Sequence, residues 1–198
     1  MRIVQLALLI MLVARPAAAG PTMALWGDDG SGLSPDLAPR TGVPFDVVVT
    51  LDSDGQSVAA AEFVISDLRN VFPGVFAVAT KKINDTPLDL GQNDLGEYII
   101  ALGGCEPSGR QIELVRITYA DYSGAIGAQS ALLTIRGFEA GDTQPSSFGG
   151  FPGIVNCRDP GDKFVAEMGG HENEGALCVN CFEPPANDAS MGELKSKF

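Results

Sequence analysis

Four cysteines, one histidine and a set of aspartates are the residues of this 198-residue chain whose types could do chemistry. The sharpest spacing is Cys178-Val179-Asn180-Cys181. Thiols three residues apart suit a disulfide, a redox pair or half of a zinc site. As a redox pair they lack the strand-then-helix setting that lowers a thiol's pKa. No histidine follows Cys181, which removes covalent haem attachment. Zinc would need Cys157 and His171 to complete a Cys3His set. His171 stands beside Glu172 and close to Glu174, the ordinary setting of an exposed loop residue. In an oxidising compartment four cysteines allow three disulfide pairings. Cys105 and Cys157 each end a strand-like run, so these two are expected to pair. Cys178 and Cys181 are then left to each other or to a partner.

The carboxylates offer less. Asp52 and Asp54, before Gly55, resemble half of a calcium loop. A full loop of the EF-hand kind needs a third ligand two residues on, a glycine at its sixth position and a bidentate acid at its twelfth. Gln56 takes the third place and Gly55 is out of position, so Asp52 and Asp54 are weak calcium candidates. A plain Asp-Gly turn accounts for them equally well. Asn84, Asp85, Asp89, Asn93 and Asp94 crowd a later loop that could cage calcium or simply be polar. No cofactor is expected; calcium is left open at these loops, and a redox or zinc role at Cys178 and Cys181 is the minority reading. A serine triad would have to use His171, and no Gly-x-Ser-x-Gly elbow is present for it to serve. No catalytic residue is assigned.

Strands must position these groups. Phe45, Val47, Val49 and Leu51 alternate with Asp46, Thr50 and Asp52, the period of two that a half-buried strand requires. A turn at 52–55 leads to a second strand at 58–66, with Ala59, Ala61, Phe63 and Ile65 inward and Glu62 and Ser66 outward. Further strands are expected at 75–80, 97–102, 110–119 and 131–136. The fifth changes phase, and a β-bulge near Leu114 would restore its inward face. Pro160-Gly161 sits between apolar runs at 154–157 and 163–168, which marks a hairpin. A short edge strand is expected at 176–179. No long segment has helical periodicity. The expectation is an all-β, antiparallel, Ig-like sandwich of about seven to nine strands over residues 43–183. An irregular lead-in at 20–42 precedes it, with Ala24, Leu25 and Trp26 as its apolar cluster and room for one short edge strand, and a short C-terminal tail at 184–198 follows.

Residues 1–19 read as a secretory signal peptide. Arg2 is the positive start, 3–13 is apolar except for Gln5, and Ala17, Ala18 and Ala19 suit a signal peptidase. The run is shorter than the roughly 20 residues that span a bilayer, so no membrane insertion is expected. The formal charge is −12, and losing Arg2 and Arg15 with the leader would make it −14. Such a surface repels nucleic acid. The address expected is secreted or periplasmic.

Three segments, Val43-Pro44-Phe45-Asp46-Val47-Val48-Val49, Ala60-Ala61-Glu62-Phe63 and Ile99-Ile100-Ala101-Leu102-Gly103-Gly104-Cys105, together resemble cohesin-like bacterial β-sandwich modules. The end of the chain, Met191-Gly192-Glu193-Leu194-Lys195-Ser196-Lys197-Phe198, is similar to the Trp-Gly-x-x-Lys-x-Leu tail of small exported proteins of Gram-negative bacteria. Met191 stands where the tryptophan would be. The resemblance implies a cohesin-like sandwich and an exported address, and it carries over no catalytic residue. Cohesins bind partner modules through a sheet face, but no motif here transfers that role. The expected function is a non-enzymatic exported module, binding a protein or glycan partner or serving the envelope structurally. The alternative is a secreted hydrolase or a calcium-dependent protein using the Asp-rich loops.

Overall fold

The computed structural model describes residues 20–66, 68–83, 88–106, 111–127, 129–170 and 175–181. The leader at 1–19, the tail at 184–198, Asn84, Asp85 and His171 with Glu172 and Glu174 lie outside the described residues. In chain order the strands are β1 (Thr22–Asp28), β2 (Asp36–Leu37), β3 (Phe45–Asp52), β4 (Val58–Ile65), β5 (Val75–Lys82), β6 (Leu88–Asp89), β7 (Glu97–Glu106), β8 (Gln111–Asp121), β9 (Ala131–Arg136), β10 (Gly153–Asn156), β11 (Lys163–Val165), β12 (Glu167–Gly169) and β13 (Ala176–Val179). One helical turn, α1 (Leu68–Val71), and a 3-10 turn, Asn93–Leu95, complete the described elements.

The first sheet runs β12-β1-β3-β8-β5. The second runs β11-β10-β4-β9-β13-β2, with β7 also paired to β4 and β6 to β7. Alternation on β3 sends Phe45, Val47, Val49 and Leu51 into the space between the sheets, where they are buried. Phe63, Tyr98 and Ile100 meet them from β4 and β7, and the Phe63 and Tyr98 rings stack at 5.2 Å. On β8 the register passes from Val49–Val115 to Thr50–Glu113, so Leu114 is the extra residue of a bulge. The phase change read in the sequence is that bulge, and it keeps Ile112, Leu114, Val115, Ile117 and Tyr119 buried.

The all-β sandwich expected from the sequence is what the chain forms, with three differences in detail. The lead-in at 20–42 is not irregular throughout. β1 is a full seven-residue strand paired along its length to β3, with Met23 and Leu25 in the core. Its apolar run was too short, beside Gly27 and Asp28, to show a period. The described strands number thirteen, and nine of them have four residues or more; the shorter ones are rim pieces. The sheets are mixed, because β1 pairs parallel to β12 and β13 parallel to β2. The turn at 52–55 forms where it was expected. Asp54 and Gly55 both take positive φ, at 45° and 80°, and Gln56 N–H donates to the Ser53 carbonyl, yet β3 and β4 lie in different sheets. The turn therefore carries the chain from one layer to the other. The hairpin at Pro160-Gly161 does pair β10 with β11.

Candidate functional site

The open flank of the sandwich is formed by β5 at the edge of the first sheet and by β6, β7 and the 3-10 turn at the facing edge of the second. β5 is a continuous run, Val75-Phe76-Ala77-Val78-Ala79-Thr80, closed by Lys81 and Lys82. Its register against β8 shifts between Ala77 and Ala79, so Val78 is a bulged residue. Val75 faces inward and is buried, whereas the next six residues are exposed. Phe76 and Val78 are 58% and 61% exposed, and across the flank Leu88, Leu90 and Leu95 are 62%, 59% and 52% exposed. These five are among the most exposed large apolar side chains of the described residues, and they come from one stretch of the chain. Single exposed apolar residues are ordinary; several on neighbouring elements are less so.

Between the two edges the sandwich is underfilled. Ala77 and Thr80 are too small to reach Ile65 and Tyr98 opposite, and a crevice of about 60 Å³ remains, with Arg69, Asn93 and Asp94 at its wall. Arg69 Nη2 donates to the Asp94 carbonyl at 2.9 Å. Asn93 Oδ1 is shielded from solvent, and no donor among the described residues reaches it. A shielded acceptor without a donor costs about 1–3 kcal/mol. Asp89 fixes the far side: its carboxylate takes Lys82 Nζ and the amides of Gly91 and Ile99.

Elsewhere the charged groups satisfy one another. On the outer face of the first sheet, Arg116 is held by Glu113, Asp46 and Asp28. Glu113 first, then the two aspartates, hold its guanidinium well above its ordinary pKa against the opposing effect of burial. Trp26 Nε1 donates to Thr50 Oγ1 at 2.8 Å on the same face. On the outer face of the second sheet, Glu62 and Glu97 are diagonal neighbours on β4 and β7, since Glu62 pairs with Ile99 and Val64 with Glu97. Glu62 was expected to point outward, and it does leave the core, yet it is only 4% exposed. The loop at 137–152 covers both: Thr143 donates its amide and hydroxyl to Glu97, and Ser147 its amide to Glu62. Neither carboxylate opens on a cleft.

The cysteines and the weak calcium candidates are placed as follows. Glu106 and Asn156 approach Val58 from β7 and β10, which brings the neighbouring Cys105 and Cys157 to a Cα–Cα distance of 5.5 Å. Cys178 and Cys181 stand at 5.6 Å. Both pairs are at disulfide distance. Asp52 accepts the Asp54 amide at 3.0 Å, an Asx turn rather than an open ligand. No three acidic, histidine or cysteine residues are grouped so as to hold a metal ion among the described residues. No described helix is long and apolar enough to cross a membrane.

No protein-family model and no curated sequence matches the chain. Solved structures do. CaCohA2 from Clostridium acetobutylicum shares 11% identity over 82% of this chain and 90% of its own, with a TM-score of 0.49. The third ScaB cohesin of R. flavefaciens, solved in complex with a group 1 dockerin, shares 13% over 84% and 99%, with a TM-score of 0.47. A non-cellulosomal cohesin from the hyperthermophilic archaeon Archaeoglobus fulgidus shares 14% over 81% and 90%, with a TM-score of 0.46. The chain is similar in fold to cohesin modules.

The sequence did not reveal the flank. An apolar run without alternation reads as a strand covered on both faces, whereas β5 is an edge. The available signal was Lys81-Lys82, since lysines at the end of an apolar strand are a common guard of exposed edges.

Proposed function

We propose that the chain is a non-enzymatic exported module that binds a protein partner along the flank made by β5, β6 and the 3-10 turn. The observation that carries this reading is that Phe76, Val78, Leu88, Leu90 and Leu95, each more than half exposed, all lie on the strands and turns that border the crevice between the two sheet edges. The outer sheet faces offer no such opening, because Arg116 and the loop at 137–152 close their polar groups internally. An apolar flank fits a protein surface better than a glycan, which needs a fence of polar groups around its hydroxyls.

Capture from the native envelope tests the reading. The wild-type exported protein, Leu88→Asp with Leu90→Asp, and Leu132→Asp on β9 as an exposed control are compared. A specific protein retained by the wild type and the control but lost by the flank variant is expected. Equal retention by all three contradicts the proposal. Export is supported by the leader-like residues 1–19 and by the two cysteine pairs at disulfide distance. The intact mass of the exported protein should show cleavage after the alanine run and two closed disulfides. An uncut leader or free thiols would count against export.

A further inference from the structure

Resting on that reading of the flank, we infer that the partner contributes an extended segment that adds to the first sheet beside β5, alternating apolar side chains with acidic ones. Three observations lead there. The first is the phase of the backbone. Ile83 N–H donates to the Leu114 carbonyl at 3.0 Å, continuing the antiparallel register in which Lys82 lies opposite Val115. Hydrogen-bonded and non-hydrogen-bonded pairs alternate along such a ladder. Lys81–Arg116 is then a bonded pair, and the main-chain N–H and C=O of Thr80 and Lys82 point away from β8. An edge that presents main-chain groups in this way is a template for an added strand, with side-chain pockets supplying selectivity.

The second is charge. β5 contains no acid and ends in two lysines, within a chain whose formal charge is −12. Lys82 is engaged by Asp89, while Lys81 is exposed and faces the incoming segment. An acidic side chain there is attracted. A second copy of this chain is a poorer occupant, because it brings the same lysines and the same overall negative charge. The bulge at Val78 and the lysines also blunt pairing of the edge with itself, and confine regular pairing to the stretch after Val78.

The third is the crevice. Thr80, at its rim, is also the residue whose backbone faces outward, so a strand laid against it passes over the opening. The opening has room for a side chain of such a strand. Asn93 and Asp94 stand at its wall, so a small hydroxyl-bearing side chain such as threonine suits the opening.

The probe is a short synthetic peptide in which aspartate on one face alternates with valine and threonine on the other, titrated into the isotope-labelled exported protein. The expected result is saturable binding that weakens with added salt, with amide protection gained at Thr80 and Lys82. Thr80→Pro removes an outward N–H without breaking the β8 ladder, a substitution that edge strands tolerate. It should lower affinity about tenfold while leaving the melting profile near that of the wild type. Lys81→Glu should lower affinity for this peptide and raise it for one carrying lysine in place of aspartate. Absence of binding, equal affinity in both variants, or protection mapped away from β5 overturns the inference. So does concentration-dependent dimerisation that protects the same amides without peptide, which would make a second copy the occupant. If the peptide fails while Leu88→Asp with Leu90→Asp still abolishes capture of the native partner, strand addition is wrong and the binding flank stands.

Discussion

Asp121 shows how one side chain can organise a loop. Its carboxylate, 1% exposed, accepts the amides of Ser123, Gly124, Ala125 and Ile126 and the Ser123 hydroxyl. Burial pushes its pKa up, but the Ile126 and Ser123 donors outweigh it and hold the group below its ordinary value. Asp121→Ala strands those donors and should cost about 2–4 kcal/mol in a denaturant titration. A folded pKa below the unfolded value of 3.8 gives stability that is whole above that value and drains as pH falls through the folded pKa. Asp142 behaves alike: Arg136 holds its carboxyl at about 2. Acid titration should therefore show stability falling below about pH 4, and less steeply in Asp142→Asn. At this scale the sequence was readable where a turn carries its own signature, as at Asp54-Gly55. Asp121 was not readable, because Asp-Tyr-Ser-Gly looks like any polar turn until its amides are seen to converge.

Among the elements, β3, β4 and β8 were legible because each turns one face to the core and so shows a period of two, interrupted on β8 by the bulge at Leu114. β5 and the loop at 137–152 were not, because what they cover, or leave uncovered, depends on which edge or face lies beside them. The loop reads as a string of glycine, proline and serine, yet it buries Phe138 and Phe148 and caps Glu62 and Glu97. Gly137 lets it dock: a Cβ there would overlap the backbone of Gly150 and Phe151. Gly137→Ala should lift the loop, cost about 1–3 kcal/mol, and open a cleavage site within 138–151 in limited proteolysis. Unchanged protease resistance would mean that the loop adapts and is not a rigid cover.

For the whole molecule, the second sheet is clasped where β7 and β10 converge at the start of β4. A bridge between Cys105 and Cys157 closes a separation of 52 residues, and Cys178 to Cys181 one of 3. In the chain-entropy account the first is worth about 4 kcal/mol and the second about 1–2 kcal/mol. Replacing Cys105 and Cys157 together by serine should therefore lower the melting temperature by clearly more than replacing Cys178 and Cys181. Equal losses would show that the long bridge does not constrain the unfolded chain. The sandwich itself was legible because strand and turn signals recur along the chain. The flank that is proposed to bind was not, since no residue announces which strand will end up at an edge.

Hydrogen exchange along β5, with and without the captured envelope partner, tests the central claim most directly. The account predicts that the outward-facing amides of β5 after Val78, those of Thr80 and Lys82, slow on binding, while those of β9 and of the covering loop at 137–152 are unchanged. Protection confined to β9 or to that loop, with β5 exchanging as in the protein alone, would contradict it.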